Sequence, residues 1–204
     1  MNIEEVIENL RVIKHPHPTL RHKSKPLVKV DRHIKAIVAR MFELMYEHRG
    51  VGLAANQVDL PFQLFVINLE SDPNKGEELV FINPVIELPK GNREAEEGCL
   101  SIPQVYGSVV RPEQIHVKAY STDGSEIDSA VNGFLAQAVQ HEYDHLQGVM
   151  FPDRMSEAAR KMIDGELAEF EYEFEKERRS GAVGDDQSIA DRLSELERMY
   201  CGTT

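Results

Sequence analysis

Apolar positions along the chain follow two periods, and each period marks a different kind of element. Ile34, Ile37, Val38, Met41, Phe42, Met45 and Tyr46 recur three or four residues apart, which puts them on one stripe of an α-helix. Asp31 stands where an N-cap would accept the first free N–H groups of that helix. Short apolar runs at residues 63–69, 79–83, 85–88, 105–110, 115–121 and 126–131 predict strands. The last two flank Thr122-Asp123-Gly124, a turn sequence suited to a hairpin. Phe134, Leu135, Ala138, Val139, Tyr143 and Leu146 return to helical spacing and predict a helix over residues 133–147, with Gly148 placed for a left-handed C-cap. Beyond Asp153, the stripe Ile163, Leu167, Phe170 and Phe174 predicts a further helix. A Gly-containing linker at 180–187 and a short helix follow, the latter capped by Ser188 with Asp191 three residues on.

This order of elements predicts an α+β fold: mixed or antiparallel sheets packed around the 133–147 helix, with a C-terminal helical extension. A chain of 204 residues buries one sizeable core and shows no internal repeat. Residues 1–155 are therefore read as one catalytic domain and 156–204 as an extension that is not an independent domain.

The 133–147 helix carries the strongest chemical signal. His141, Glu142 and His145 form an H-E-x-x-H run, and residues four apart on a helix share a face. Two imidazoles can then reach one ion while the glutamate stands beside it as a general base. A catalytic ion of this kind needs a third protein ligand and an open position for water. The metzincin pattern is excluded, because Phe151 occupies the place of its third histidine. Glu166 or Glu169, about twenty residues on, could complete a thermolysin-like site, and Cys99 within Glu97-Gly98-Cys99-Leu100-Ser101 is a soft thiolate alternative. A third segment, Gly50-Val51-Gly52-Leu53-Ala54-Ala55-Asn56-Gln57, lacks the lysine of a phosphate-binding loop but has small residues that let backbone approach a ligand. Gln57 there offers an uncharged N–H donor to a developing oxyanion.

Charge and cysteine content narrow the class further. A formal net charge of −12 argues against binding nucleic-acid phosphates, and the basic stretch at 11–29 is read as a solvated face. Residues 156–204 hold 13 acids and 7 bases, a net of −6 and half of the whole. Two cysteines, one of them Cys201 near the C-terminus, define no disulfide framework and favour a reducing compartment, so a cytoplasmic location is expected. The acidic first residues carry no secretory h-region, and no apolar run reaches the length of a membrane span.

Taken in order, G-V-G-L-A-A-N-Q at 50–57, E-G-C-L-S at 97–101 and Q-H-E-Y-D-H-L-Q-G at 140–148 resemble the three signature motifs of the peptide deformylase family. The resemblance begins near Val12-Ile13-Lys14-His15-Pro16 and ends near Met155. It implies removal of the formyl group from the N-terminal formyl-methionine of nascent peptides. It also implies Cys99, His141 and His145 as metal ligands, Glu142 as general acid/base, and Gln57 with the Leu100 N–H as oxyanion donors. The ion implied is one divalent metal per chain, Fe(II) in the cell, with zinc, nickel or cobalt accepted in purified material. Val51, Leu100, Phe134 and Ala138 are the expected lining for methionine, Gly50 to Gly52 the backbone that holds the peptide, and Glu97 with Arg111 an ion pair steadying the Cys99 loop.

The partners expected are formyl-methionyl nascent peptides in transient proximity to the ribosome, with no nucleic acid or membrane bound and a monomer or homodimer as the assembly. The acidic extension departs from the basic C-terminal helix through which some members approach the ribosome. Tyr106 stands where many relatives carry Arg, and Val51 and Asn56 vary conservatively. Two other readings compete: an H-E-x-x-H metallopeptidase, which would keep its metal without Cys99, and an inactive binding protein, which would not need Glu142.

Overall fold

Strand β2 (Leu64–Ile67) explains the layering of the molecule. Its four residues are all apolar and all buried. Side chains alternate across a strand: Leu64 and Val66 enter a cluster built on helix α2 (Arg32–Glu47), while Phe65 and Ile67 enter one built on helix α3 (Gly133–Leu146). A strand covered on both faces has no polar positions to alternate. Strand β6 (Gln114–Tyr120) shows the opposite case: Ile115, Val117 and Ala119 face α3, whereas His116, Lys118 and Tyr120 lie outside the core.

The computed structural model describes residues 2–202. Strands β1 (Gly52–Ala54), β2, β3 (Leu79–Lys90), β6 and β7 (Glu126–Asn132) form a sheet in that spatial order. A separate hairpin pairs β4 (Arg93–Cys99) with β5 (Ile102–Arg111). Every pairing within the two sheets is antiparallel, which narrows the mixed-or-antiparallel expectation. A third apolar cluster joins Ile13 and Leu20 to β5, Met150 and Phe151, and to Ile163 and Leu167 of the C-terminal region.

Helix α2 begins as expected: the Asp31 carboxylate accepts from the His33 and Ile34 N–H groups at 2.9 and 3.1 Å. The β6–β7 turn also forms, with Gly124 in the left-handed region, and Gly148 adopts that region after α3. Other expectations need correction. Residues 79–83 and 85–88 are one strand, because Asn83 at φ 51° forms an irregularity that its side chain closes with two 2.8 Å bonds to Leu27. The missed elements are β1, β4, a short helix α1 (Ile3–Glu8) and 3-10 helices at Pro18–Arg21, Ala55–Val58 and Phe151–Arg154. The helix after Asp153 is broken into α4 (Glu157–Lys161) and α5 (Asp164–Ser180). Helix α6 (Asp186–Tyr200) is 15 residues long and capped by Asp185, whose carboxylate accepts from the Ser188 N–H at 2.8 Å; Ser188 is not the cap.

Leu196 and Tyr200 of α6 enter the α2 cluster, where the Tyr200 ring meets Phe62 edge-on at 5.5 Å between centroids. Tyr200 is 2% exposed. Tyr200→Ala should therefore cost roughly 3–5 kcal/mol, the usual penalty for emptying a large aromatic site. Urea unfolding measures it, and a loss below about 0.5 kcal/mol, the range of ordinary surface changes, would contradict the docking of α6.

Candidate active site

Helix geometry and a strand end bring three ligand-type side chains together. His141 and His145 lie one turn apart on α3, with rings edge-on at 4.9 Å and Nε2 atoms 3.2 Å apart. Cys99 closes β4 where the β4–β5 register shifts after Gly98, and its Sγ lies 3.3 Å from His145 Nε2. The three ligand atoms all fall within 4.8 Å of one another. Glu166 and Glu169 lie exposed on α5 and join no such group, so the structure does not bring the alternative third ligand to the site.

A soft sulfur and two imidazole nitrogens converging on one small space is a donor set that fits a divalent transition metal. Burial, then the neighbouring His141, hold His145 well below the ordinary histidine value, which keeps it in the neutral, ligating form. Burial also opposes a charge on His141, but hydrogen bonds to Cys99 and Glu97 raise it well above the ordinary value.

Behind His141 an ionic chain runs from the buried interior to the surface at Arg154. His141 Nδ1 meets Glu97 Oε2 at 3.0 Å, which turns Nε2 toward Cys99 and His145. Arg111 donates to both Glu97 oxygens, at 2.5 and 2.8 Å, and through its third nitrogen to Asp144 at 2.8 Å. Arg154 completes the chain with bonds of 3.0 and 2.6 Å to Asp144. The Glu97–Arg111 pair was legible in the sequence. Asp144 and Arg154 were missed, and the only cue was Asp144 lying three residues after His141 on the same helix.

Gln57 sits on a 3-10 helix, Ala55–Val58, and is 1% exposed. Its Oε1 accepts from the Ala54 N–H at 2.8 Å, so Nε2 must face Cys99 Sγ and Ser101 Oγ, both at 3.3 Å. Glu142 is 4% exposed, and its Oε2 has no hydrogen-bond partner. Burial pushes its carboxyl up to about 7, a value suited to both taking and returning a proton near neutrality. Gly52 is required by this arrangement: a Cβ there would stand 2.4 Å from Glu142 Oε1.

These groups line one cavity of about 700 Å³. Gly50, Val51, Gly52, Gln57, Cys99, Leu100, Phe134, Ala138, His141 and Glu142 all reach it, and His145 lies fully buried behind. Phe134 is half-exposed at the rim rather than core, whereas Ala138 belongs both to the wall and to the α3 cluster. The sequence reading missed His48, Arg49, Gln104 and Gln137 on the same wall, all polar residues without a motif. Tyr106 also lines it, its ring packed against Gly98.

Burial works to raise the Glu97 carboxyl, but bonds from Arg111 and His141 outweigh it and hold the group at about 2, below its ordinary 4.5. The resulting stability is complete above pH 4.5 and is lost as pH falls from 4.5 through about 2. Its size is on the order of 3 kcal/mol. Urea unfolding of the metal-free protein across this range should show a steeper acid loss than in Glu97→Gln; parallel curves would contradict the assignment.

Comparison with known proteins agrees with this geometry. The profile of the polypeptide deformylase family matches residues 9–161. A peptide deformylase from Rhodopirellula baltica is 46% identical over 195 residues, covering 96% of this chain and 97% of the relative. One from Neisseria gonorrhoeae is 42% identical over 158 residues, 78% of this chain and 93% of its own. Among solved structures, a plant peptide deformylase superposes with TM-score 0.81 at 37% identity, covering 85% of this chain and 94% of that one. A peptide deformylase from Legionella pneumophila gives 0.73 at 36%, with 86% and 99% covered. Matched along most of its length and carrying a Cys-His-His group able to bind a metal, the chain belongs to the peptide deformylase family, metal-dependent hydrolases that remove N-formyl groups.

Proposed function

We propose that Cys99, His141 and His145 hold one divalent ion and that deformylation of N-terminal formyl-methionine takes place on the cavity wall beside them. The observation that carries this reading is the convergence of five side chains on one place: three ligands, the Glu142 carboxylate with its unpartnered Oε2, and the Gln57 amide. When bound, the ion supplies Lewis acidity toward water and toward the formyl oxygen. Glu142 takes the proton of the attacking water and delivers it to the departing amine. Gln57 Nε2 and the Leu100 N–H donate to the oxygen that becomes anionic as the formyl carbon turns tetrahedral, each worth roughly 3 kcal/mol in the transition state. Glu97 keeps the His141 ring in one orientation throughout.

Fe(II) is the ion we assign in the cell, with zinc, nickel or cobalt as replacements in purified material. The anionic sulfur partly neutralises the cation and makes its identity matter to rate. Val51, Leu100, Phe134 and Ala138 form an apolar wall for the methionine side chain, and Gly50 to Gly52 present backbone to the peptide in strand fashion. The reading places the enzyme in the cytoplasm, where thiols stay reduced and formylated nascent chains emerge, in transient proximity to the ribosome and as a monomer or homodimer. No helix among the described residues is long and apolar enough to cross a membrane. We treat residues 1–155 as the catalytic domain and 156–204 as its extension, supported by the packing of Leu196 and Tyr200 into the α2 cluster.

An anaerobic assay of formate released from a short formyl-methionyl peptide tests the function. The Fe(II)-loaded protein should turn over, and Glu142→Ala at equal metal content should be slower by at least about 10²-fold. No formate from either protein at full metal occupancy would sink the reading. Gly52→Ala supplies an independent check: it should retain its metal but lose turnover, because the added methyl displaces the Glu142 carboxylate. Wild-type kcat in that variant would contradict the placement of the base.

A further inference from the structure

Helix α6 lies beyond the segment matched by the family profile, yet it reaches the turn that carries Gln57. The 3-10 helix holding Gln57 ends at Asp59, whose φ of 65° is the left-handed region. Asp enters that region more readily than most side-chain-bearing residues, but the conformation still carries strain that its surroundings must hold. Arg192 of α6 does so from outside. Its Nη1 donates to the Asp59 carbonyl at 3.0 Å, and its Nη2 pairs with Asp59 Oδ1 as an ion contact set off the hydrogen-bond axis.

The same carboxylate oxygen accepts from Thr19 Oγ1 at 2.5 Å. Thr19 belongs to an N-terminal segment that grips the site at two further points. The Ile13 N–H donates to the Gln57 carbonyl and the His15 N–H to the Ser101 carbonyl, both at 2.9 Å. Ser101 is in turn the residue whose hydroxyl meets Gln57 Nε2. Arg192, Asp59, Thr19 and the two backbone bonds therefore form one connected path from α6 to the Gln57 amide, with Arg192 at its outer end. Arg192 and Asp59 are each only about a quarter exposed, which limits the competition from water.

We propose that Arg192 is a positioning residue for deformylation: α6 clamps the Asp59 turn and thereby sets where the Gln57 amide stands. This inference rests on the oxyanion role of Gln57 stated above. A donor displaced by a fraction of an ångström loses much of its transition-state contribution while ground-state peptide contacts persist. The effect belongs in kcat and not in KM.

The test is a double-mutant cycle on the Fe(II)-loaded full chain, using a formyl-methionyl peptide, with metal content and thermal unfolding recorded for each variant. Arg192→Ala should lower kcat about tenfold and leave KM within about twofold. Arg192→Lys, which keeps the charge but replaces the rigid two-nitrogen fork with a single flexible ammonium, should recover part of the loss. In a Gln57→Ala background, Arg192→Ala should have no further effect. Should Arg192→Ala fail to fold, Arg192→Lys decides by the same cycle, with a smaller loss that vanishes in the Gln57→Ala background.

An undiminished kcat in Arg192→Ala, or the same loss in both backgrounds, would overturn the clamp while leaving Gln57 as oxyanion donor. A Gln57→Ala variant that turns over at the wild-type rate would overturn the oxyanion reading and the clamp with it.

Discussion

The Arg111 guanidinium, buried between Glu97 on β4 and Asp144 on α3, is the interaction on which the site depends. Among the described residues the β4–β5 hairpin is a sheet of its own, with no strand pairing to the larger one. Cys99 is at its end and the two histidines are on α3, so something must fix one element against the other. Arg111 does this with three charge-assisted bonds, and Gln137 adds a weaker link by donating to the Glu96 carbonyl at 3.3 Å. Burying such charges is costly, and well-packed apolar groups of similar volume often replace a buried ion network at no loss of stability. What the ions add is direction. Glu97 can turn the His141 ring only because Arg111 holds both of its oxygens.

The second constraint is space. Backbone at Gly52 runs close enough to Glu142 that no side chain fits between them, and this closeness excludes water from a carboxylate that would otherwise be strongly hydrated. Desolvation raises its proton affinity toward neutrality. Glu97 and Glu142 are thus both buried carboxylates with opposite behaviour: one is paired with a guanidinium and stays ionised, and the other has an oxygen without a partner and titrates near 7. Two environments, rather than two residue types, separate the acid that stays ionised from the one we propose as the base.

Much of this was readable along the chain wherever a local period carried the information. The H-E-x-x-H run needs only a helix to become a pair of facing imidazoles, and the α2 stripe with its Asp31 cap needs only a core to pack against. β4 was not readable, because Arg93, Glu94 and Glu96 are exposed on a hairpin and carry the polarity of a loop. The cap of α6 was misread because Asp185 and Ser188 are both good caps, and only the bond from the Ser188 N–H to the Asp185 carboxylate decides between them. Asp144, Arg154 and Arg192 act through partners 10 to 133 residues away. No spacing rule brings such pairs together.

X-ray absorption spectroscopy of the zinc-loaded protein tests the centre of the account most directly, since it reads the ligand set without relying on turnover. One sulfur at about 2.3 Å with two imidazole nitrogens at about 2.0–2.1 Å, and loss of the sulfur shell in Cys99→Ser, is the result expected. A first shell without sulfur, or a shell unchanged in Cys99→Ser, would contradict it.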